Sequence, residues 1–163
     1  MPGIAKTVPG FTMLEMMAVL AVVGILAVMA IPSLQEKIIK DQILEALPLA
    51  DIAKTPIALG WTVTQTFPAN NDAAGLPAAD KIVGNFVSAV QVEAGAIHIT
   101  FGNRANGAIK GKVLSLRPAV VADAPIVPVA WVCGNATVPD KMTVKGVNKT
   151  DIPNALLPLR CRP

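Results

Sequence analysis

From Met16 to Leu34 the chain carries no charged residue. Those nineteen positions, at a helical rise of about 1.5 Å each, match the roughly 30 Å hydrocarbon core of a bilayer. A run of this kind reads as a membrane anchor, which leaves the remainder of the 163 residues to form one small domain. The apolar content of 53% and the mean hydropathy of +0.55 are high for a wholly soluble chain. The anchor concentrates that excess.

What precedes the anchor is not an ordinary secretory signal. Residues 1–10, MPGIAKTVPG, are too short and too poor in apolar side chains for a signal core, and no small-x-small cleavage site follows the apolar run. The apolar run instead comes after the Gly10-Phe11 junction, so cutting there removes a leader and keeps the anchor. Lys6 is the one charge in that leader, and it places the N-terminus in the cytoplasm with the C-terminal domain outside. Glu15 needs a partner, because a carboxylate at the head of an apolar span costs a few kcal/mol if left alone. Its sequence neighbours are read as offering none. Cleavage after Gly10 creates an α-amine on Phe11, with an unperturbed pKa near ~8, that can pair with Glu15 of an adjacent subunit in an apolar core. The competing reading is that Glu15 snorkels into water at the headgroup boundary.

Taken together, Gly10, Phe11, Thr12, Met13, Leu14 and Glu15 resemble the processing site of type IV prepilins. The resemblance implies that Gly10 ends the leader, that Phe11 becomes the N-methylated terminus, and that Glu15 is the assembly carboxylate. It also implies that Gly24 and Pro32 are helix-weakening positions where the anchor melts on filament assembly, which suits their poor helix propensities. Met13, Met16 and Met17 read as flexible packing surface.

Beyond the anchor, Glu36, Lys37, Lys40, Asp41 and Glu45 are interleaved with Leu34, Ile38, Ile39, Ile43, Ala46 and Leu47. Apolar residues at intervals of three to four predict that the helix leaves the membrane without ending and lays one stripe on a sheet. Pro48 is expected to kink it and Pro56 to kink or end it, so the predicted helix runs from about Thr12 into the Ala50 region. Residues 61–85 read as a long connecting loop. Residues 86–93 and 96–101 read as strands joined by a hairpin at Ala94-Gly95, and residues 113–117 and 129–133 as two more. The fold class is α+β, a long N-terminal helix packed on a four-stranded antiparallel sheet. Three segments follow: a leader over 1–10, a membrane and assembly helix over 11–34, and a head over 35–163 that includes the second half of the helix.

Cys133 and Cys161 are the only cysteines. Neither has a second Cys or a His nearby, so a metal set is not supported, and on an exported head a disulfide is the natural reading. Around them WVCG and LPLRC resemble the C-terminal disulfide loop of major pilins. The chain departs from that family in having no Tyr after the membrane part of the helix, which speaks against an aromatic path for electrons.

No catalytic set is recognisable, and no cofactor is implied. His98 alternates within AIHITF as a sheet-surface residue, and the acids outside the helix lack motif spacing. The stretch 102–107 reads as a turn without a phosphate-binding pattern. Asn135-Ala136-Thr137 and Asn148-Lys149-Thr150 read as turns. Residues 1–100 hold five Lys against eight acids, and residues 101–163 hold nine Lys or Arg against three Asp. A basic distal half of this size can meet DNA or an anionic host surface. The resemblance implies a homopolymer of pilin subunits, a stay in the inner membrane, processing by prepilin peptidase, handling by a pilus assembly machinery, and export to the surface of a Gram-negative-like cell. Adhesion, twitching motility and DNA uptake go with that family. A minor pilin, a secretion pseudopilin and a non-polymerising anchored domain are the alternatives.

Overall fold

The structure, a computed structural model, describes residues 10–163. In chain order the elements are α1 (Met13–Thr64), β1 (Val87–Glu93), β2 (Ala96–Phe101), β3 (Val113–Val120), β4 (Ala130–Cys133) and β5 (Thr143–Val144). Single 3-10 turns lie at Ala79–Lys81, Asn154–Leu156 and Leu159–Cys161. The chain divides into two compact units, with the boundary in sequence between Glu36 and Lys37. In the N-terminal unit every described side chain from Phe11 to Met29 is exposed, which is the surface of a helix made for lipid or for other helices. The expected leader, apart from Gly10, and the side chain of Pro32 fall outside the described residues.

In the second unit α1 buries Ile39, Ile43, Ala46, Ala50, Ala53 and Ile57. Their spacing alternates four and three, so they form one stripe. Across from it lie Val90 and Val92 of β1, Ile97, Ile99 and Phe101 of β2, and Leu114 and Leu116 of β3, all in the same core. Three alanines in the middle of the stripe let the helix backbone come close to the sheet. Two residues predicted for this face, Leu34 and Ile38, are more than half exposed.

Neither proline ends the helix. The helix continues through Pro48 and Pro56 to Thr64, about ten residues beyond the predicted exit. Pro48 is exposed while Ala46, Leu47 and Ala50 on either side of it are buried, so the ring projects away from the core. Each proline removes one helical hydrogen bond and costs about 3 kcal/mol. Burial of the stripe on both sides of the prolines offsets that cost.

The sheet is antiparallel in the order β1-β2-β3-β4, with β5 added to β3. The four predicted strands are present, and the two-residue β5 was not anticipated. The Ala94-Gly95 turn joins β1 to β2, and both residues have positive φ, 47° and 83°, as a type I′ hairpin requires. β3 runs past its predicted end at Arg117 to Val120, even though Pro118 interrupts it. Leu116 pairs with Ile97 of β2, whereas Ala119 pairs with Val144 of β5. Pro118 sits where β3 changes partner, and a missing N–H there breaks no ladder bond.

The long loop before β1 is anchored by a buried residue, Asn71, that no local pattern singles out. Asn71 Nδ2 donates to the carbonyls of Pro77 at 2.9 Å and Val90 at 3.0 Å, and its Oδ1 accepts from the Val92 amide at 2.6 Å. Val90 and Val92 lie on β1, an edge strand. One amide side chain therefore does for that edge what a neighbouring strand would do. Asn71→Leu leaves three backbone groups unpaired and is expected to lower stability by about 2–4 kcal/mol. Urea unfolding of the full chain in detergent micelles measures it, and a midpoint equal to wild type would show that the clip contributes nothing.

Candidate assembly site

The head of α1 begins at Thr12, whose residue type and place make it the N-cap. Glu15 N–H donates to Thr12 Oγ1 at 3.2 Å, and Glu15 Oε2 accepts from both the Thr12 amide and the Thr12 hydroxyl at 3.2 Å. This reciprocal pattern is a capping box. It corrects the expectation that nothing near Glu15 in sequence offers it a partner. Its sequence signal is Thr-x-x-Glu ahead of an apolar run, which supplies hydrogen bonds rather than a counter-ion. The carboxylate also sits in the first turn, where the helix dipole favours negative charge. Phe11, one residue before the cap, is 80% exposed.

Along the helix that follows, Gly24 lies in unbroken α-helix, and a Cβ built there meets no atom within 4 Å. Gly24 and Glu15 are thus both open on the anchor surface. Cys133 and Cys161, far from the anchor in sequence, form a disulfide across 28 residues, and both are buried in the core of the head. Around the bridge the Asn135 amide donates to the Cys161 carbonyl at 3.0 Å. Arg162 donates to the carbonyls of Leu157 and Ala155, each at 2.8 Å.

Several other expectations meet their geometry in the head. Asn148 Oδ1 accepts from the Thr150 amide at 3.1 Å, and its Nδ2 donates to Asn135 Oδ1 at 2.9 Å. Both N-x-T asparagines therefore hold turns. In the 102–107 stretch the Gly102 and Arg104 amides donate to Phe86 and Asn85, and the Asn106 amide donates to Gln42 Oε1 at 2.9 Å. Those donors serve the protein rather than a phosphate. His98 is the exception, because it is 3% exposed instead of lying on an open sheet face. Its Nδ1 is 2.9 Å from Ser115 Oγ. Ser115 is fully buried, so no substrate reaches the pair as a nucleophile and base.

In chain order, an exposed apolar helix with a capped acid at its head precedes a disulfide-closed α+β domain. Residues 40–162 match the family described as Pilin (bacterial filament), and residues 7–31 match the prokaryotic N-terminal methylation motif. The chain is 35% identical to a fimbrial protein of Neisseria meningitidis serogroup A over 162 residues, covering 94% of this chain and 93% of that one. It is 36% identical to the type IV major pilin protein PilE1 of Neisseria gonorrhoeae over 158 residues, covering 94% and 93%. Fimbrial protein EcpC of Eikenella corrodens is 33% identical over 113 residues, covering 66% and 72%. The chain belongs to the pilin family, as a type IV pilin precursor and a structural subunit of a pilus.

Proposed function

We propose that the chain is cut between Gly10 and Phe11 by a prepilin peptidase, waits in the inner membrane, and is then stacked through helix 11–34 into a type IV pilus. Phe11 becomes the N-methylated terminus. Its amine pairs with Glu15 of a neighbouring subunit. The observation that carries this reading is the apolar anchor surface, exposed all along its described length and bearing one acid, Glu15, in its first turn. In lipid that acid is costly unless paired, and a packed bundle of sister helices supplies the pair. Gly24 and Pro32 then loosen the helix between them as subunits pack, because both residues weaken helical bonding.

The basic surplus of residues 101–163 supports contact of the finished fibre with DNA or an anionic surface, and binding of that kind should weaken steeply with salt. Adhesion, twitching motility and DNA uptake are proposed on the same footing. The name major pilin, carried by the gonococcal relative, favours a bulk subunit over a minor pilin or pseudopilin. Mass spectrometry of fibres sheared from cells tests the whole reading. It is expected to find this chain as the main component, starting at a methylated Phe11. A chain beginning at Met1, or absent from the fibres, would overturn it.

A further inference from the structure

The disulfide-closed loop 133–161 folds back across the sheet face opposite α1. The Lys145 amide donates to the Pro118 carbonyl at 2.8 Å, and a Cβ on Gly146 would come within 2.7 Å of Ala96 Cβ. Next, the Lys149 amide donates to Ser115 Oγ at 2.8 Å. Thr150 Oγ1 accepts from the Ser115 amide at 3.0 Å, and Asp151 Oδ1 accepts from the Val113 amide at 2.6 Å. The segment thereby continues the edge of β3 where β4 has stopped, and it seals His98 beneath it.

The hydrogen positions at the centre follow from the donors. Ser115 Oγ accepts from the Lys149 amide, so its own proton is directed to the one remaining partner, His98 Nδ1. His98 is then neutral, with its proton on Nε2. That atom is buried and has no hydrogen-bond partner among the described residues. A second proton would have to enter at Nδ1. Ser115 Oγ would then receive two N–H donors, and its own O–H would be left without an acceptor in a buried site, an expensive outcome. Lifting the loop lets water solvate the imidazolium instead. We propose that His98, Ser115 and Lys149 form an acid-released latch that holds the C-terminal disulfide loop against the sheet.

The charges around the latch can be named element by element. From β1 comes Glu93, bonded to the Lys149 ammonium, and from the loop comes Lys149 itself. β3 contributes Ser115, with Arg117 two residues along on the same face donating to the Gly134 carbonyl at 3.2 Å. Burial pushes the His98 imidazole below its ordinary range, Lys149 adds to that, and Glu93 opposes it. With the folded value below the unfolded one, the latch is fully stabilising above about pH 6.5. It weakens as the pH falls from there through the lowered value.

His98 is the sole histidine, so full-length chain labelled at histidine and held in detergent micelles gives a single imidazole signal. The neutral ring is expected as the Nε2–H tautomer. Between pH 7.5 and 5, amide protection at Lys149 to Asp151, corrected for intrinsic exchange, should fall by about tenfold for each unit separating the folded and open midpoints. His98→Gln should abolish that fall. An unchanged protection in wild type, or an equal fall in His98→Gln, overturns the latch. Should His98→Gln fail to fold, Lys149→Gln is expected to raise the His98 midpoint and Glu93→Gln to lower it, while both keep the Lys149 backbone bond. A midpoint that moves in neither variant overturns the proposal as well. None of these readouts depends on whether the chain assembles into fibres.

Discussion

Glu15→Gln is expected to leave subunits in the membrane while cutting fibre yield by at least about tenfold. The reasoning separates two jobs that one side chain performs. Glutamine serves in a capping box as glutamate does, so the helix start at Thr12 survives the change. What disappears is the charge. In an apolar bundle, removing one member of a buried ion pair leaves the other uncompensated, at a cost of about 3–5 kcal/mol. Since about 1.4 kcal/mol is tenfold in an equilibrium, the effect on subunit addition is large. Glu15→Ala removes both cap and charge. Quantifying sheared fibres against membrane-inserted subunits in each strain decides between the roles. Equal loss in both variants assigns assembly to the charge; loss in Ala with normal yield in Gln would assign it to the cap and refute pairing with the Phe11 amine.

Joint replacement of Cys133 and Cys161 by alanine should lower the stability of the head by about 3–4 kcal/mol, the chain-entropy value for a loop of this length. Alanine is preferred because both positions are buried and a serine hydroxyl there would add its own penalty. For a domain of this size such a loss amounts to roughly 10 °C in the unfolding temperature. Reductant should bring wild type down to the variant and leave the variant unmoved. Wild type and variant unfolding together under oxidising conditions would mean that the bridge contributes nothing to the fold. The damage should be felt first between Gly134 and Arg160, because turns and side-chain clips hold that segment, with β5 as its only strand.

Much of this architecture is legible residue by residue. An uncharged run of membrane length, a Gly-Phe junction with an acid five places on, alternating apolar residues in β1 and β2, and Ala-Gly between them are all local patterns. Local patterns survive in sequence because adjacent residues share one backbone. The capping box at Thr12 and Glu15 belongs to the same kind and was there to be read. By contrast, Pro48, Pro56 and Pro118 each forbid an element by local rules, and all three lie inside one.

What the sequence by itself determined is therefore the long apolar N-terminal helix, the cysteine pair as a disulfide and the α+β class. Only the tertiary structure decided that α1 runs to Thr64, since the energy that carries it past two prolines comes from a sheet encoded more than twenty residues further on. The same holds for Asn71, which closes a strand edge some twenty residues away, and for His98, whose burial depends on Lys149. Their surroundings are contacts between distant parts of the chain. Such contacts leave no period or motif in the residues that make them.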